Sequence, residues 1–168
     1  MLEIRKAIAD DASQLAEVMK SAEESGYMLF NPGERKVSVE GFANFIDKTN
    51  IEVRSALFVA CENGKISGYM IVQQDKPERI SHRAYLVVGV HSESRGKGIG
   101  KALFSHVEEW ARKVGLHRLD LTVVAENKAA VGLYQKMGFQ IEGIKRDSLF
   151  INGQFINEYY MAKLIGRK

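Results

Sequence analysis

A glycine-rich segment between an apolar run and an amphipathic helix constrains the fold of this chain more than any other feature. The segment reads Arg95-Gly96-Lys97-Gly98-Ile99-Gly100, and the apolar run before it occupies residues 84–90. Such a run, with one glycine, is typical of a strand that is buried on both faces of a sheet. After the glycines, apolar residues recur every three or four positions, which predicts a helix ending near Gly115. Its predicted apolar face holds Ile99, Leu103, Val107, Trp110, Ala111 and Val114.

The predicted turn from this strand into this helix is suited to binding an anion. The first N–H groups of a helix have no partner within the helix, and the helix dipole favours negative charge beside them. Glycines let an anion approach the backbone, and Arg95 and Lys97 add positive charge. The spacing fits neither the Gly-x-Gly-x-x-Gly of dinucleotide-binding folds nor a P-loop, because Lys101 is followed by Ala102. The expected ligand is therefore a diphosphate of another class.

The pattern Arg95-x-x-Gly98-x-Gly100 resembles the acyl-CoA pyrophosphate loop of the GNAT superfamily of N-acetyltransferases. The resemblance covers most of the chain from about residue 56 onward and is sharpest between residues 88 and 139. Within the superfamily, the ending at residues 157–161 resembles the amino-acid and small-amine acetyltransferases. Further residues that stand at the family's spacing are Asn127, Ala130, Tyr134, Gly138 and Phe139.

The resemblance implies a single-domain α/β fold over residues 1–168, with a mixed, mostly antiparallel sheet. A parallel βαβ unit would form its cofactor-binding centre, and a strand at 119–124 follows the glycine-loop helix as that unit requires. Asn63-Gly64 predicts a type I′ hairpin between strands at 56–62 and 65–73.

Other elements follow from periodicity and capping residues. Helices are predicted to start at Asp10 or Asp11, at residue 39 and at residue 128. The helix at residue 39 is expected to end at residue 47. Strands at 139–145 and 155–164 are predicted as a closing antiparallel pair, with Asn152-Gly153 as a turn within their connection.

Composition excludes several classes of protein. A hydrophobic fraction of 45% and a charged fraction of 27% are ordinary for a soluble globular chain of 168 residues. The net charge of +3 is too small to indicate a nucleic-acid or membrane partner. The lone Cys61 excludes an intrachain disulfide, and the cysteine and histidines show no metal-ligand spacing, so no metal is expected. Without a transmembrane run or a signal peptide, a cytoplasmic location is predicted.

The resemblance also implies which residues hold acetyl-CoA as cosubstrate. The strand around Val88 would run beside the pantetheine arm, with a backbone N–H near Gly89 facing the thioester oxygen. A simple strand bulge is the structural alternative for that glycine. Asn127 would touch the arm and could also cap the next helix. The predicted cofactor-binding residues are Val88, Gly89, Val90, Arg95, Gly96, Lys97, Gly98, Ile99, Gly100, Lys101, Asn127, Ala130 and Tyr134.

The resemblance assigns Tyr134 as the catalytic general acid that protonates the departing CoA thiolate. The alternative is a core tyrosine on the apolar side of its helix. No general base is assigned, because Thr122 stands where ribosomal-protein N-terminal acetyltransferases often carry a glutamate. Water remains an alternative for that role. The side chains that could act as the base are His82, Glu78 and Glu126, and His91 could approach the cofactor.

The predicted function is acetyl transfer to the primary amine of a small molecule, an amino acid or a related amine. No Ser or Cys nucleophile with its own base is evident, so direct attack in a ternary complex is expected. The acceptor pocket is predicted from the irregular segments 25–37, 75–83 and 146–153. The charged residues that could bind an acceptor there are Glu23, Glu24, Glu34, Arg79, Arg83 and Arg146.

Two other functions stay open. A protein or peptide N-terminal acetyltransferase is disfavoured by Thr122, and a non-catalytic acyl-CoA-sensing module is disfavoured by the presence of Tyr134. A homodimer is a further alternative, for which the strand at 155–164 could offer an edge.

Overall fold

The computed structural model describes residues 1–36 and 38–166, which form one seven-stranded sheet with helices on both faces. The end of the predicted loop, Val37, and the last two residues of the predicted domain, Arg167 and Lys168, lie outside the described residues. The strands are β1 (Glu3–Lys6), β2 (Ala56–Glu62), β3 (Lys65–Gln74), β4 (Arg83–Val90), β5 (Arg118–Val124), β6 (Gln140–Ile151) and β7 (Gln154–Leu164). The helices are α1 (Ala12–Glu23), α2 (Val39–Ile51), α3 (Ile99–Lys113) and α4 (Lys128–Lys136).

The sheet order is β1-β2-β3-β4-β5-β7-β6, and only the β4–β5 pair is parallel. Helix α3 connects these two strands, so β4, α3 and β5 form the predicted parallel unit at the centre of a mostly antiparallel sheet. The fold class expected from the sequence is confirmed.

Two apolar layers cover the two faces of the sheet. On one face, α3 and α4 pack with Met70 and Leu86 of the central strands. On the other face, α1 and α2 pack with Tyr69 and Val87. Because side chains alternate along a strand, neighbouring residues of β3 and β4 face opposite layers. This alternation determines which side chains can approach the centre of the sheet from each side.

Two tight turns of the same type join strand pairs. Asn63 and Gly64 have φ values of 53° and 77°, and Asn152 and Gly153 have values of 51° and 78°. Positive φ at both central residues is the signature of the type I′ turn, which matches the twist of a hairpin. The predicted hairpin at Asn63-Gly64 is confirmed. The second turn joins β6 and β7 directly, rather than lying within a longer connection.

The predicted end of the sixth strand at residue 145 is therefore wrong. Strand β6 continues to Ile151, and residues 146–151 are sheet rather than an irregular acceptor loop. The physical reason is a bulge: the β6–β7 register shifts between Lys145 and Leu149, and Asp147 has a φ of 51°. A bulge breaks the alternating pattern of side chains by which a strand is recognised in sequence.

Two further boundaries differ from the sequence prediction. The strand at 155–164 does not offer an edge, because β7 is paired on both sides and the folded-back β6 takes the outer position. Helix α2 runs four residues beyond its predicted end, to Ile51. No helix within residues 1–36 and 38–166 combines the length and apolar character that crossing a bilayer needs.

Candidate functional site

Strands β4 and β5 separate part-way along their length. Their pairing begins at Arg83 with Arg118 and stops at Tyr85 with Asp120, although β4 continues to Val90. On its other edge, β4 is paired with β3 from Ala84 to Val90. From residue 86 onward, the edge of β4 that faces β5 therefore has no strand partner among the described residues. This opening, here called the central cleft, exposes backbone groups that a ligand with amides could pair.

The predicted residues Val88, Gly89 and Val90 lie along the central cleft. Val88 and Val90 pack toward the α3 and α4 layer, whereas Gly89 stands opposite Tyr69 on β3. The β3–β4 register is unbroken at this point, so Gly89 is not a bulge. The strand bulge considered as the structural alternative for Gly89 is therefore wrong.

The glycine-rich segment follows the end of β4 and leads into α3. Gly96 and Gly98 have φ values of 76° and 81°, and a Cβ on either would meet nothing within 4 Å. Backbone conformation, rather than crowding, is what requires glycine at these two positions. Gly98 is the N-cap of α3 and supplies no side-chain cap, so the first N–H groups of the helix are left for another partner.

At position 100, glycine is required for a different reason, which is close packing between helices. A Cβ there would lie 3.0 Å from a terminal methyl carbon of Leu133, so this glycine permits close packing of α3 on α4. Ile99, beside it, is buried in the layer beneath the helix. These two predicted residues therefore hold the helix in place, besides any contact with a ligand.

Three positive side chains surround the start of α3. Arg95, Lys97 and Lys101 are exposed, and no carboxylate of the described residues lies within 4 Å of their charged nitrogens. Arg95 makes a long contact of 3.5 Å from its Nη2 to the carbonyl oxygen of Ser21. Positive charge and unpaired N–H groups thus occur together, which is the arrangement that binds phosphate groups.

Ser21 is a buried polar residue that no sequence pattern had indicated. Its Oγ accepts the N–H of Ser92 at 2.9 Å and donates to the hydroxyl of Ser92 at 3.1 Å. These bonds connect the last turns of α1 to the loop between β4 and α3. In the same loop, the Nδ1 atom of His91, the histidine predicted to approach the cofactor, accepts the N–H of Glu93 at 3.2 Å. That bond stabilises the short helical turn Ser92–Ser94.

Helix α4 brings the remaining predicted residues to the same layer. The side chain of Asn127 accepts the N–H of Ala130 at 3.3 Å, which confirms the predicted N-cap. Ala130 is half-buried against the apolar layer that also contains Tyr134. The helix ends before Gly138, which has a φ of 94°. Asn127, Tyr134 and Gly138 thus lie at the start, in the body and just after the end of one short helix.

The ring of Tyr134 packs in the core, and its hydroxyl has no hydrogen-bond partner among the described residues. Its ring centroid lies 5.4 Å from that of Phe104 and 6.4 Å from that of Phe139. Burial raises the pKa of Tyr134 to about 12, and the nearby Tyr85 adds to the rise. Every side-chain N or O sealed from solvent in the described residues has a hydrogen-bond partner. No described residue forms a hydrogen bond with the Tyr134 hydroxyl, so this donor is left for another partner.

Tyr85 stands at the last paired position of β4, directly before the central cleft. Its hydroxyl lies 2.6 Å from the hydroxyl of Thr122 on β5. The three side chains considered as a general base, those of His82, Glu78 and Glu126, are all exposed. Within the described ranges, no three His, Cys, Asp or Glu side chains are grouped as a metal site requires.

On the opposite face of the sheet, a cavity of about 400 Å³ lies between α1, α2 and residues 33–36. Its polar lining includes Glu23, whose buried carboxylate pairs with Arg35 at 2.9 Å. The guanidinium of Arg35 also lies 4.7 Å from the ring centroid of Phe30. Sequence reasoning selected Glu23 but missed Arg35, because nothing local relates a loop arginine to a carboxylate twelve residues earlier.

The other predicted acceptor charges are not part of this cavity. Arg83 pairs with Asp75 at 2.5 Å, and the remaining four are exposed side chains outside the cavity lining: Glu24, Glu34, Arg79 and Arg146. Of the three segments predicted to build an acceptor pocket, only 25–37 contributes residues to the lining.

The bonds of Ser21 predict a measurable effect on stability. Ser21→Ala removes both hydrogen bonds to Ser92 and should lower the free energy of unfolding by about 1 kcal/mol. It should also speed hydrogen exchange of the Ser92 amide. Ser105→Ala, a change at an exposed position of α3, is the control. It should leave the free energy of unfolding in urea unchanged. Equal stability of the two variants, with unchanged exchange at Ser92, would contradict this role.

Comparison with known proteins adds to this geometry. The sequence profile of the Acetyltransferase (GNAT) family matches residues 16–139. The L-amino acid N-acetyltransferase of Escherichia coli strain K12 is 33% identical over 110 residues, which are 63% of this chain and 66% of that protein. This match therefore spans just under two thirds of the relative's length.

Two solved structures share the whole fold. A GNAT-family acetyltransferase from Streptococcus pneumoniae is 33% identical, with a TM-score of 0.92 over 99% of this chain and 100% of the other. A ribosomal-protein-alanine N-acetyltransferase from Brucella melitensis is 28% identical, with a TM-score of 0.87 over 96% and 99%. With its profile match, its central parallel unit and these full-length similarities, the chain belongs to the GNAT family of acetyltransferases.

Proposed function

We propose that this enzyme transfers the acetyl group of acetyl-CoA to the primary amine of a small molecule by direct attack in a ternary complex. The observation that carries the proposal is the central cleft, an unpaired strand edge that leads to the uncapped start of α3. A strand edge and a helix N-terminus in sequence suit a ligand made of an amide-bearing arm and a diphosphate.

The residues around the cleft fit the parts of acetyl-CoA. The backbone of Val88, Gly89 and Val90 would pair with the amides of the pantetheine arm. The N–H groups from Gly96 to Lys101 would bind the pyrophosphate, and the exposed charges of Arg95, Lys97 and Lys101 would neutralise it. Asn127 and Ala130 would contact the arm from the start of α4.

The chemistry then needs only a neutral amine and a proton for sulfur. The amine nitrogen forms a bond to the thioester carbon, and the C–S bond breaks with its electron pair on sulfur. Tyr134 donates its proton to that sulfur and regains one from solvent, while the nitrogen loses its extra proton to water. No acyl-enzyme is formed, so both substrates must be bound together.

The acceptor class is proposed from the cavity beside α1. Its buried carboxylate, Glu23, and the guanidinium of Arg35 give opposite charges of the kind that recognise an amino acid or a related amine. The likeness to an enzyme named for L-amino acids supports this class. A peptide N-terminus is the second candidate, favoured by the likeness to the Brucella enzyme. It is disfavoured by Thr122, whose hydroxyl is bonded to that of Tyr85.

The proposal extends to location and assembly. The lone Cys61 fits a reducing compartment, for which the cytoplasm is proposed. A homodimer remains a prediction to be checked by sedimentation or light scattering.

The first test is acetyl-CoA-dependent thiol release with a panel of acceptors. The panel holds amino acids, polyamines, aminoglycosides and N-terminal peptides, with a reaction lacking acceptor as control. Turnover with an amino acid or another small amine supports the proposal. Turnover with peptides alone moves the assignment to the second candidate. Binding of acetyl-CoA without turnover of any member favours the sensing module instead.

The role of the glycine loop can be separated from simple backbone strain. Gly98→Ala and Gly64→Ala both put a side chain at positive φ, so each should cost about 1–2 kcal/mol of stability. Gly64 lies in the β2–β3 turn, whereas Gly98 orients the first N–H groups of α3. Calorimetry should show acetyl-CoA affinity reduced about tenfold in Gly98→Ala, equivalent to 1.4 kcal/mol, and unchanged in Gly64→Ala. Equal affinities would reject the pyrophosphate site.

Tyr134→Phe should lower kcat roughly 100-fold, the usual contribution of a general acid, without changing acetyl-CoA affinity. Because burial raises the pKa of Tyr134 to about 12, the phenol keeps its proton over the working range. Wild-type kcat/KM should therefore rise as the acceptor amine loses its proton, and stay level up to pH 10. A fall near pH 10 that disappears in Tyr134→Phe would show a phenol with an ordinary pKa instead.

A further inference from the structure

A second tyrosine, Tyr69, reaches the central cleft from the opposite face of the sheet. It is only 1% exposed and lies on β3 directly across from Gly89. A Cβ built on Gly89 would lie 2.5 Å from Cε1 of Tyr69 and 2.7 Å from both Cζ and the hydroxyl oxygen. The phenol end of Tyr69 therefore occupies the place that a side chain at Gly89 would take.

This contact explains why residue 89 is a glycine. Any side chain there would collide with the ring of Tyr69, because distances below 3.0 Å are not found between a real Cβ and a neighbouring atom. The missing side chain lets the phenolic oxygen come up against the backbone of β4. It does so at the residue beside which the thioester is proposed to lie.

The hydroxyl of Tyr69 is not used in the hydrogen bonding of the described residues. No described residue forms a hydrogen bond with it, whereas every side-chain N or O sealed from solvent in the described residues has a partner. The side chain as a whole is almost fully enclosed. Buried tyrosines usually give the hydroxyl a partner within the protein, so this unused donor is an exception.

Charged and titratable groups from three elements influence the pKa of this hydroxyl. Burial raises the pKa of Tyr69 well above its ordinary value, Arg35 lowers it, and Glu23 and Tyr134 raise it further. Glu23 belongs to α1, Arg35 to the loop after it, and Tyr134 to α4. Because its pKa is raised, the hydroxyl stays protonated at neutral pH. Such a group donates a hydrogen bond and does not act as a base.

We propose that the Tyr69 hydroxyl donates a hydrogen bond to the carbonyl oxygen of the acetyl thioester and stabilises the negative charge that forms there. This inference rests on the proposed function. As the amine attacks, the carbonyl π electrons move onto oxygen, and they return when the C–S bond breaks. The proton of Tyr69 stays on the phenol throughout, so Tyr69 is a catalytic residue by electrostatics alone. Tyr134 remains the separate donor to sulfur.

The variant Tyr69→Phe tests the proposal, because it keeps the ring over Gly89 and removes only the oxygen. The expected result is a fall in kcat of roughly 100-fold for every acceptor, the usual effect of losing one such donor. The KM for amine, the affinity for acetyl-CoA and the Tm should stay at wild-type values. A role in holding the amine would instead raise the KM, and a purely structural role would lower the Tm. Either result, or an unchanged kcat, overturns the proposal.

A spectroscopic measurement gives a readout that does not need turnover. Acetyl-CoA labelled with ¹³C at the carbonyl should show an infrared stretching band in the complex with wild-type protein at lower wavenumber than in the complex with Tyr69→Phe. Tyr134→Phe is the matched control: it should lose kcat but keep the wild-type band. The same band in wild type and Tyr69→Phe would reject the hydrogen bond.

Acetyl transfer by the protein and the hydrogen bond from Tyr69 are tested separately by these measurements. A wild-type protein that acetylates no amine defeats the proposed function and this inference with it. An active wild type whose Tyr69→Phe variant is equally active defeats this inference alone.

Discussion

The incomplete pairing of β4 with β5 is the constraint around which the rest of the molecule is arranged. A parallel pair in the middle of a sheet would ordinarily stay paired over its length, yet here only three residue positions are matched. The proposed acetyl-CoA site lies at the resulting opening. Helix α3 begins after the glycine-rich loop that follows β4, Tyr85 stands at the last matched position, and Tyr69 lies against Gly89 from the other side. Opening the sheet exposes strand backbone that a bound arm can pair, without unfolding either layer.

The two tyrosines illustrate how a core can contribute chemistry. Tyr69 and Tyr134 belong to different apolar layers, and the ring of each is held by packing. Each phenol is therefore positioned by the same contacts that stabilise the fold. Positioning by the core restricts the donor to a narrow range of directions, which is what electrostatic stabilisation of a transition state requires. A hydroxyl on a flexible loop would instead lose conformational entropy each time it became ordered around the substrate.

Local signals in the sequence predicted most of the architecture. The period of α3, the Asn63-Gly64 turn and the glycines before Ile99 act through neighbouring residues, and their structures are as expected. The missed features are relations between distant residues. The sequence cannot show that β4 and β5 part after Tyr85, that Arg35 pairs with Glu23, or that Tyr69 fills the space of Gly89. The bulge after Lys145 broke the alternation that identifies a strand, so β6 was predicted too short. The roles of the predicted cofactor-binding residues remain predictions.

The short match between β4 and β5 also divides the sheet into two antiparallel blocks. Strands β1 to β4 form one antiparallel block, and β5, β7 and β6 form the other, with few backbone bonds across the boundary. Apolar packing beneath α3 and α4 joins side chains from both blocks. A molecule that pairs with the open edge adds contacts across this boundary only in the native state, so its binding free energy becomes part of the resistance to unfolding. In this fold, recognition of the ligand and cohesion of the sheet are therefore thermodynamically linked.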